Sequence, residues 1–262
     1  YKVARGITGS KWVGLKYIKK FFDSPMAGTY IWNTLAISLY ELCTFPLGLV
    51  LALLLNYVPS ARFRKTVQMV SYAPHFISTV VMCGMITQFL DARSGLINVL
   101  LRYVGVQPRN WMTYPEYFRH IYVWSGVWQG LGYSSIIYIA ALSGVSPELH
   151  EAAIVDGANI FQRMWNVDIP SVLPTFCILL IMRCGSIMSV GFEKVLLLQN
   201  NLNKSASEII STFTYNIGLN SSGAMPQYSY GAAIGLFTSL VNMALLLLVN
   251  TVTRKLSGSG LW

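Results

Sequence analysis

The chain has 262 residues, 54% of them hydrophobic and only 11% charged, with a net charge of +9 and a mean hydropathy of +0.50. An ordinary soluble domain carries about 25% charged residues, so composition alone describes a membrane protein and excludes a typical soluble domain. The basic excess is no nucleic-acid footprint until its position relative to a bilayer is known, and no nucleic-acid partner is expected.

The chain opens at Tyr1 with no methionine and no signal peptide, so the natural protein is expected to begin upstream. Residues 1–28 hold Lys2, Arg5, Lys11, Lys16, Lys19 and Lys20 against one acid, Asp23. Trp12, Leu15, Ile18 and Phe22 recur at helical spacing, which predicts a helix lying in the membrane interface; a basic surface loop is the alternative. Five segments are apolar over the ~20 residues that cross a bilayer: Tyr30–Leu55, Val67–Phe89, Ile121–Leu142, Val172–Val190 and Tyr230–Val252. Pro46 and Pro74 should bend the first two. Gly126 with Gly130, and Gly231 with Gly235, have the spacing of helix-packing seams. Cys43, Cys83, Cys177 and Cys184 all lie in apolar stretches, so neither a disulfide framework nor a metal site is expected.

Between the third and fourth spans, Pro147 to Pro174 forms a polar island. Pro147 suits a helix start, and Glu148 and Glu151 suit the positive end of a helix dipole. Leu149, Ala152, Ala153 and Asp156 share one face, where two alanines let another surface approach closely. Gly157 should break the helix, and a second short one, Ile160 to Val167, should end at Pro170. The run Glu151-Ala152-Ala153, then Gly157, then Val167-Asp168-Ile169-Pro170 resembles the cytoplasmic coupling loop of ATP-binding-cassette (ABC) importer permeases. That family's pattern is Glu-Ala-Ala, three residues, Gly, nine residues, Ile, any residue, Leu-Pro; valine and isoleucine replace its two aliphatics here. Tyr72-Ala73-Pro74-His75-Phe76-Ile77-Ser78 and the tail from Arg254-Lys255-Leu256-Ser257 to Leu261-Trp262 also look like the maltose-type carbohydrate group. They look most like its uronate-oligosaccharide and alginate branch.

The resemblance implies an all-α polytopic transmembrane helix bundle with a type I ABC permease core. One span would be missing upstream of the five visible, and residues 1–262 would form one permease domain with 147–171 as its coupling loop. It also implies a bacterial inner-membrane location, with the coupling loop and C-terminus cytoplasmic. The partners would be a second, homologous permease, two ABC ATPase subunits that hold ATP and magnesium, an extracytoplasmic solute-binding protein and a saccharide. Glu151, Ala152, Ala153, Asp156 and Gly157 would carry the ATPase coupling.

In that orientation the outer stretches 1–29, 90–120 and 191–229 carry twelve cations against five acids, a balance of +7. The inner stretches 56–66, 143–171 and 253–262 carry six cations against four acids, or +2. This runs against the positive-inside bias, and the motif is given precedence over it. The outer excess suits an anionic substrate or an acidic docking protein, and equally anionic lipid headgroups.

No phosphate-binding G-x-x-x-x-G-K-[ST] loop, nucleophile elbow, H-E-x-x-H or paired Cys-x-x-Cys occurs, so no catalysis and no cofactor are expected in this chain itself. Two charges fall deep in spans, Glu41 and Arg183. A charge there marks either a functional pathway or an ion pair that fixes packing. Trp128, Gln129 and Tyr133, with Trp124, are expected mostly on one side of the third span, where rings stack on sugars and amides bond hydroxyls; an interfacial aromatic belt is the alternative, above all for Trp124. Asn242 and Tyr138 are weaker candidates of the same kind. The functional expectation is therefore a saccharide-importing ABC permease subunit, and an acidic saccharide fits best. An ion-coupled secondary transporter with Glu41 as its carboxylate, or a non-transporting scaffold, are the rivals.

Overall fold

The computed structural model describes residues 9–220, 225–258 and 260–261, and among them there are α-helices and no strands. Lys2, Arg5 and Trp262 lie outside the described residues. Among the described residues, three helices are long and apolar enough to cross a membrane: Ala27–Asn56, Ile160–Cys184 and Tyr228–Lys255. A fourth span follows if Ala61–Phe76 and Thr79–Phe89, bent by 99° at their junction, count as one.

The first crossing comprises α2 (Ala27–Thr44) and α3 (Leu47–Asn56), with Pro46 in the turn between them. After α4 (Ala61–Tyr72), Pro74 sits in a tighter turn, Ala73–Phe76, and α5 (Thr79–Phe89) leaves in a new direction. The second span is thus bent where Pro74 was expected to bend it, sharply enough to be a break. Proline removes one backbone donor, and the short tight turn takes up the change of course. The third expected span lies inside α7 (Pro115–Ser143), 29 residues long. It has the length to cross but not the apolar composition, because the tryptophans, tyrosines, glycines, serines and Gln129 dilute it. In the last crossing, α14 (Tyr228–Ser257) runs unbroken.

Contacts divide the chain into two compact units, residues 1–39, 79–122 and 186–244, and residues 40–78, 123–185 and 245–262. The first unit's core gathers Phe21, Ala27, Tyr30, Met188, Ile210, Tyr230 and Ile234. Phe21 enters it from α1 (Lys16–Phe22), while Trp12, Leu15 and Phe22 are exposed. The apolar face expected of this N-terminal segment is therefore the outward one. Asn33 ties the same unit together, its amide donating to the carbonyls of Ser205 and Glu208 while its oxygen accepts from Arg119. Several expected outer cations are engaged internally: Arg119 with Asn33, Lys194 with the Tyr122 carbonyl at 2.6 Å, and Lys204 with Glu208.

The second unit packs Ala52, Leu53, Tyr138, Leu142 and Val172 together. Tyr138 is buried in this core, which removes it from the sugar-contacting candidates. Close approach here is made by Gly132, where a Cβ would stand 2.3 Å from the Ser71 carbonyl oxygen. A Cβ on Gly130 or Gly235 would meet nothing within 4 Å, whereas one on Gly231 would touch Thr214 and Gly218 at 3.5–3.6 Å, so of these glycines Gly231 lies at a helix contact. In a membrane, where lipid is as apolar as leucine, such small-residue contacts are a main source of helix association.

Candidate functional site

Ser146 opens the polar island by accepting a hydrogen bond from the Glu148 N–H, with Pro147 in the first turn of α8 (Pro147–Val155). The helix ends in a paired closure: Ala158 N–H donates to the Ala153 carbonyl and Gly157 N–H to the Ile154 carbonyl. Gly157 adopts φ +77°, the left-handed conformation this closure needs and side chains with a Cβ disfavour. Asn159 and Gln162 then cap α9 (Ile160–Arg163) reciprocally. Glu151, Ala152 and Asp156 are exposed and Ala153 is half-buried, with Leu149, Ile154, Val155, Phe161 and Trp165 also exposed. The exposed surface of α8 and α9 is thus largely apolar, with the small Ala152 and the acids Glu151 and Asp156 among it.

Pro170 does not end the second helix. A widened π-turn, Met164–Asp168, carries the chain straight into α10 (Ile169–Cys184). The looser hydrogen bonding of that turn accommodates a proline with no N–H to give.

Asp168, fully buried in that turn, accepts a 2.5 Å hydrogen bond from the Tyr57 hydroxyl at Oδ2. His150 of α8 places Nε2 3.3 Å from Asp168 Oδ1, a close polar contact but not an aligned hydrogen bond, since that oxygen accepts none. The Arg163 guanidinium lies over the Tyr57 ring, 5.5 Å from its centroid. Burial, and then the bond to Asp168, push the Tyr57 phenol above its ordinary pKa. Sequence reasoning passed over Asp168; the signal was an acid set between Val167 and Ile169 in an otherwise apolar run.

The second constellation is a cavity of about 340 Å³ lined by Glu41, Thr44, Gly48, Gly126, Gly130, Ser134 and Arg183, among others. Arg183 Nη2 stands 2.5 Å from Glu41 Oε2 on its wall. Gly126 and Gly130 line this space, so their missing side chains leave room instead of closing a helix contact. The two deep charges therefore form the ion pair that one of the two readings expected, and the pair stands on the wall of a cavity.

The aromatic candidates part company. At about 100° per residue, Tyr133 falls opposite Trp124, and Gln129 a quarter-turn from Trp128. Gln129 donates to the Ile77 carbonyl at 2.8 Å, and Tyr133 stacks on His75 with ring centroids 3.8 Å apart. Both brace the break after Pro74. Trp124 donates to the Tyr40 hydroxyl, and Trp128 is exposed. Asn242, in the first unit, caps the chain after α10 by accepting from Met188 N–H and donating to Ser189 Oγ. No cluster of metal-ligating residues occurs among the described residues.

Residues 44–258 match the model of the binding-protein-dependent transport system inner membrane component. The chain belongs to that family of ABC importer permeases. The polygalacturonan/rhamnogalacturonan transport system permease protein YteP of Bacillus subtilis is 37% identical to this permease over 100% of the chain and 81% of that protein. The arabinooligosaccharides transport system permease protein AraP of the same organism is 29% identical over 90% of the chain and 74% of that protein. A crystal structure of a bacterial alginate ABC transporter, in complex with alginate pentasaccharide-bound periplasmic protein, superposes with a TM-score of 0.91 at 36% identity. The match covers 95% of this permease and 85% of that chain.

Proposed function

We propose that this permease carries an acidic oligo- or polysaccharide, rich in uronate units, across the inner membrane. The observation that carries the reading is its similarity along the whole chain to permeases of polygalacturonan/rhamnogalacturonan and alginate transporters. The cavity supports it physically. Arg183 supplies a planar set of donors suited to carboxylates, and Thr44 and Ser134 supply hydroxyls. Glu41 and Arg183 are the pathway residues, with exposed Trp128 as an aromatic platform; Gln129 and Tyr133 act by bracing the break after Pro74.

The permease works as one half of a heterodimer with a homologous partner, receives cargo from an extracytoplasmic binding protein, and is driven by two ATPase subunits. Those subunits bind ATP and magnesium and dock on α8 at Glu151, Ala152, Ala153, Asp156 and Gly157. The coupling loop and C-terminus face the cytoplasm. All three stretches assigned to the outer side belong to one compact unit, and all three assigned to the inner side belong to the other. The test is ATP hydrolysis by the full complex in liposomes, with binding protein and either uronate oligomers or neutral maltodextrins. Stimulation by uronates alone supports the reading, and equal stimulation by both ends it.

A further inference from the structure

The α8 helix hangs between two glycine-bearing turns. Gly144 follows α7 directly, and Gly157, at φ +77°, closes α8 itself. A push on a short helix held only by such turns would pivot it and be absorbed locally. Beyond the backbone closure of the turns themselves, side chains tie α8 to other elements: His150 from α8, Asp168 from the π-turn leading into α10, and Tyr57 just after α3. Asp168 is the hub, with its side chain fully shielded and one oxygen held by the phenol at 2.5 Å. His150 and Tyr57 also meet edge to face, with ring centroids 6.4 Å apart. The Arg163 guanidinium, over the Tyr57 ring, completes the group.

A buried carboxylate held in this way is costly to desolvate and poorly explained by stability alone, since apolar residues of similar size serve packing as well or better. Its distinctive gift is geometry: it fixes three elements of separate sequence origin at one point. We propose that Tyr57, Asp168 and His150 form a rigid bracket that transmits movement of α8 to the ends of α3 and α10. They are positioning residues for coupling, distinct from the α8 surface that meets the ATPase. The bracket rests on the reading of α8 as the coupling helix.

The test uses the complete transporter in liposomes and measures saccharide imported per ATP hydrolysed. Tyr57→Phe and Asp168→Asn should each lower that ratio by about tenfold, the worth of one hydrogen bond to a charged group. The double variant should be no worse than the poorer single one, because both remove the same link. Glu151→Cys, cross-linked to the ATPase subunit, serves as the control. If the cross-link forms and the single variants import with an unchanged ratio, the bracket is overturned while the coupling helix stands. If no cross-link forms in the active complex, the coupling reading itself fails. Should Asp168→Asn fail to assemble, Tyr57→Phe and His150→Gln decide the matter, as each leaves the carboxylate in place.

Discussion

Arg183 and Glu41, 142 positions apart in the chain, meet at 2.5 Å on the wall of a cavity. The arginine side chain is 42% exposed and the glutamate 21%, so the pair is neither a surface salt bridge nor a sealed one. Exposed pairs contribute about 0–1 kcal/mol, whereas breaking a buried one costs about 3–5 kcal/mol. A site between these limits should show its coupling as a difference. Glu41→Gln and Arg183→Gln should each lower the unfolding temperature in detergent, and the double substitution should lower it less than the two losses combined. Strict additivity would mean that the two charges do not support one another.

A second prediction concerns where the helices of the second unit touch. Gly132→Ala places a methyl group 2.3 Å from a backbone oxygen of Ser71, which has no rotamer to retreat into. Overpacking of this kind costs about 1–3 kcal/mol, so a clear drop in thermal stability is expected. Gly130→Ala meets nothing within 4 Å and should leave stability unchanged. Equal effects would mean that Gly132 is not the seam.

The contrast between these glycines shows what the sequence made legible. Spacing alone singled out Gly126 and Gly130, yet packing depends on which face a neighbour occupies, and periodicity carries no such information. Gly157 was readable because its role is local: a helix that must stop, followed by a residue at positive φ. The same holds for Pro147 at the start of α8. Glu41 and Arg183 were each readable as costly in a membrane, and their pairing was foreseen as one of two readings. Asp168 escaped because its partners come from residues 57 and 150, far away in the chain. Pro170 misled because a π-turn, invisible in composition, absorbed it.

Replacing Gly157 tests the local argument. Valine at φ +77° brings the left-handed penalty of about 1–2 kcal/mol, and β-branching adds to it. The paired closure from Ala158 and Gly157 to Ala153 and Ile154 should open, displacing the end of α8. Import should fall well below half while the permease still inserts, and Gly157→Asn should retain more import because asparagine tolerates this conformation better. Full import by the valine variant would refute the assignment.

The Tyr57 phenol offers a test by pH. Its proton is held more tightly in the folded permease than in the unfolded chain, where tyrosine ionises near pH 10. The unfolded state therefore loses its proton first, so this stabilisation is complete below about pH 10 and declines as pH rises beyond it. Thermal unfolding between about pH 8 and pH 11 should fall more steeply for the native permease than for Tyr57→Phe. Parallel curves would show that the phenol is not shielded from water and held as the structure has it.

The nature of the cargo is tested by the cavity's one arginine against the exposed cations elsewhere. Lys11, Lys16, Lys19, Arg93, Arg102 and Arg109 are exposed and not tied into the internal contacts that hold Arg119 and Lys194. Their attraction for an anionic saccharide or an acidic carrier acts through water and is screened beyond about 8–10 Å at physiological ionic strength. Raising the salt should therefore slow uronate-stimulated ATP hydrolysis at subsaturating substrate and restore it when substrate is in excess. Arg183, facing the cavity, should behave differently. Its guanidinium can hold a carboxylate through two parallel bonds, each stronger than a neutral hydrogen bond. Arg183→Gln should remove the preference for uronate oligomers over neutral ones at every salt concentration, a loss of about tenfold or more. Uptake indifferent to that substitution would leave Arg183 as a packing residue and take the acidic cargo out of this cavity.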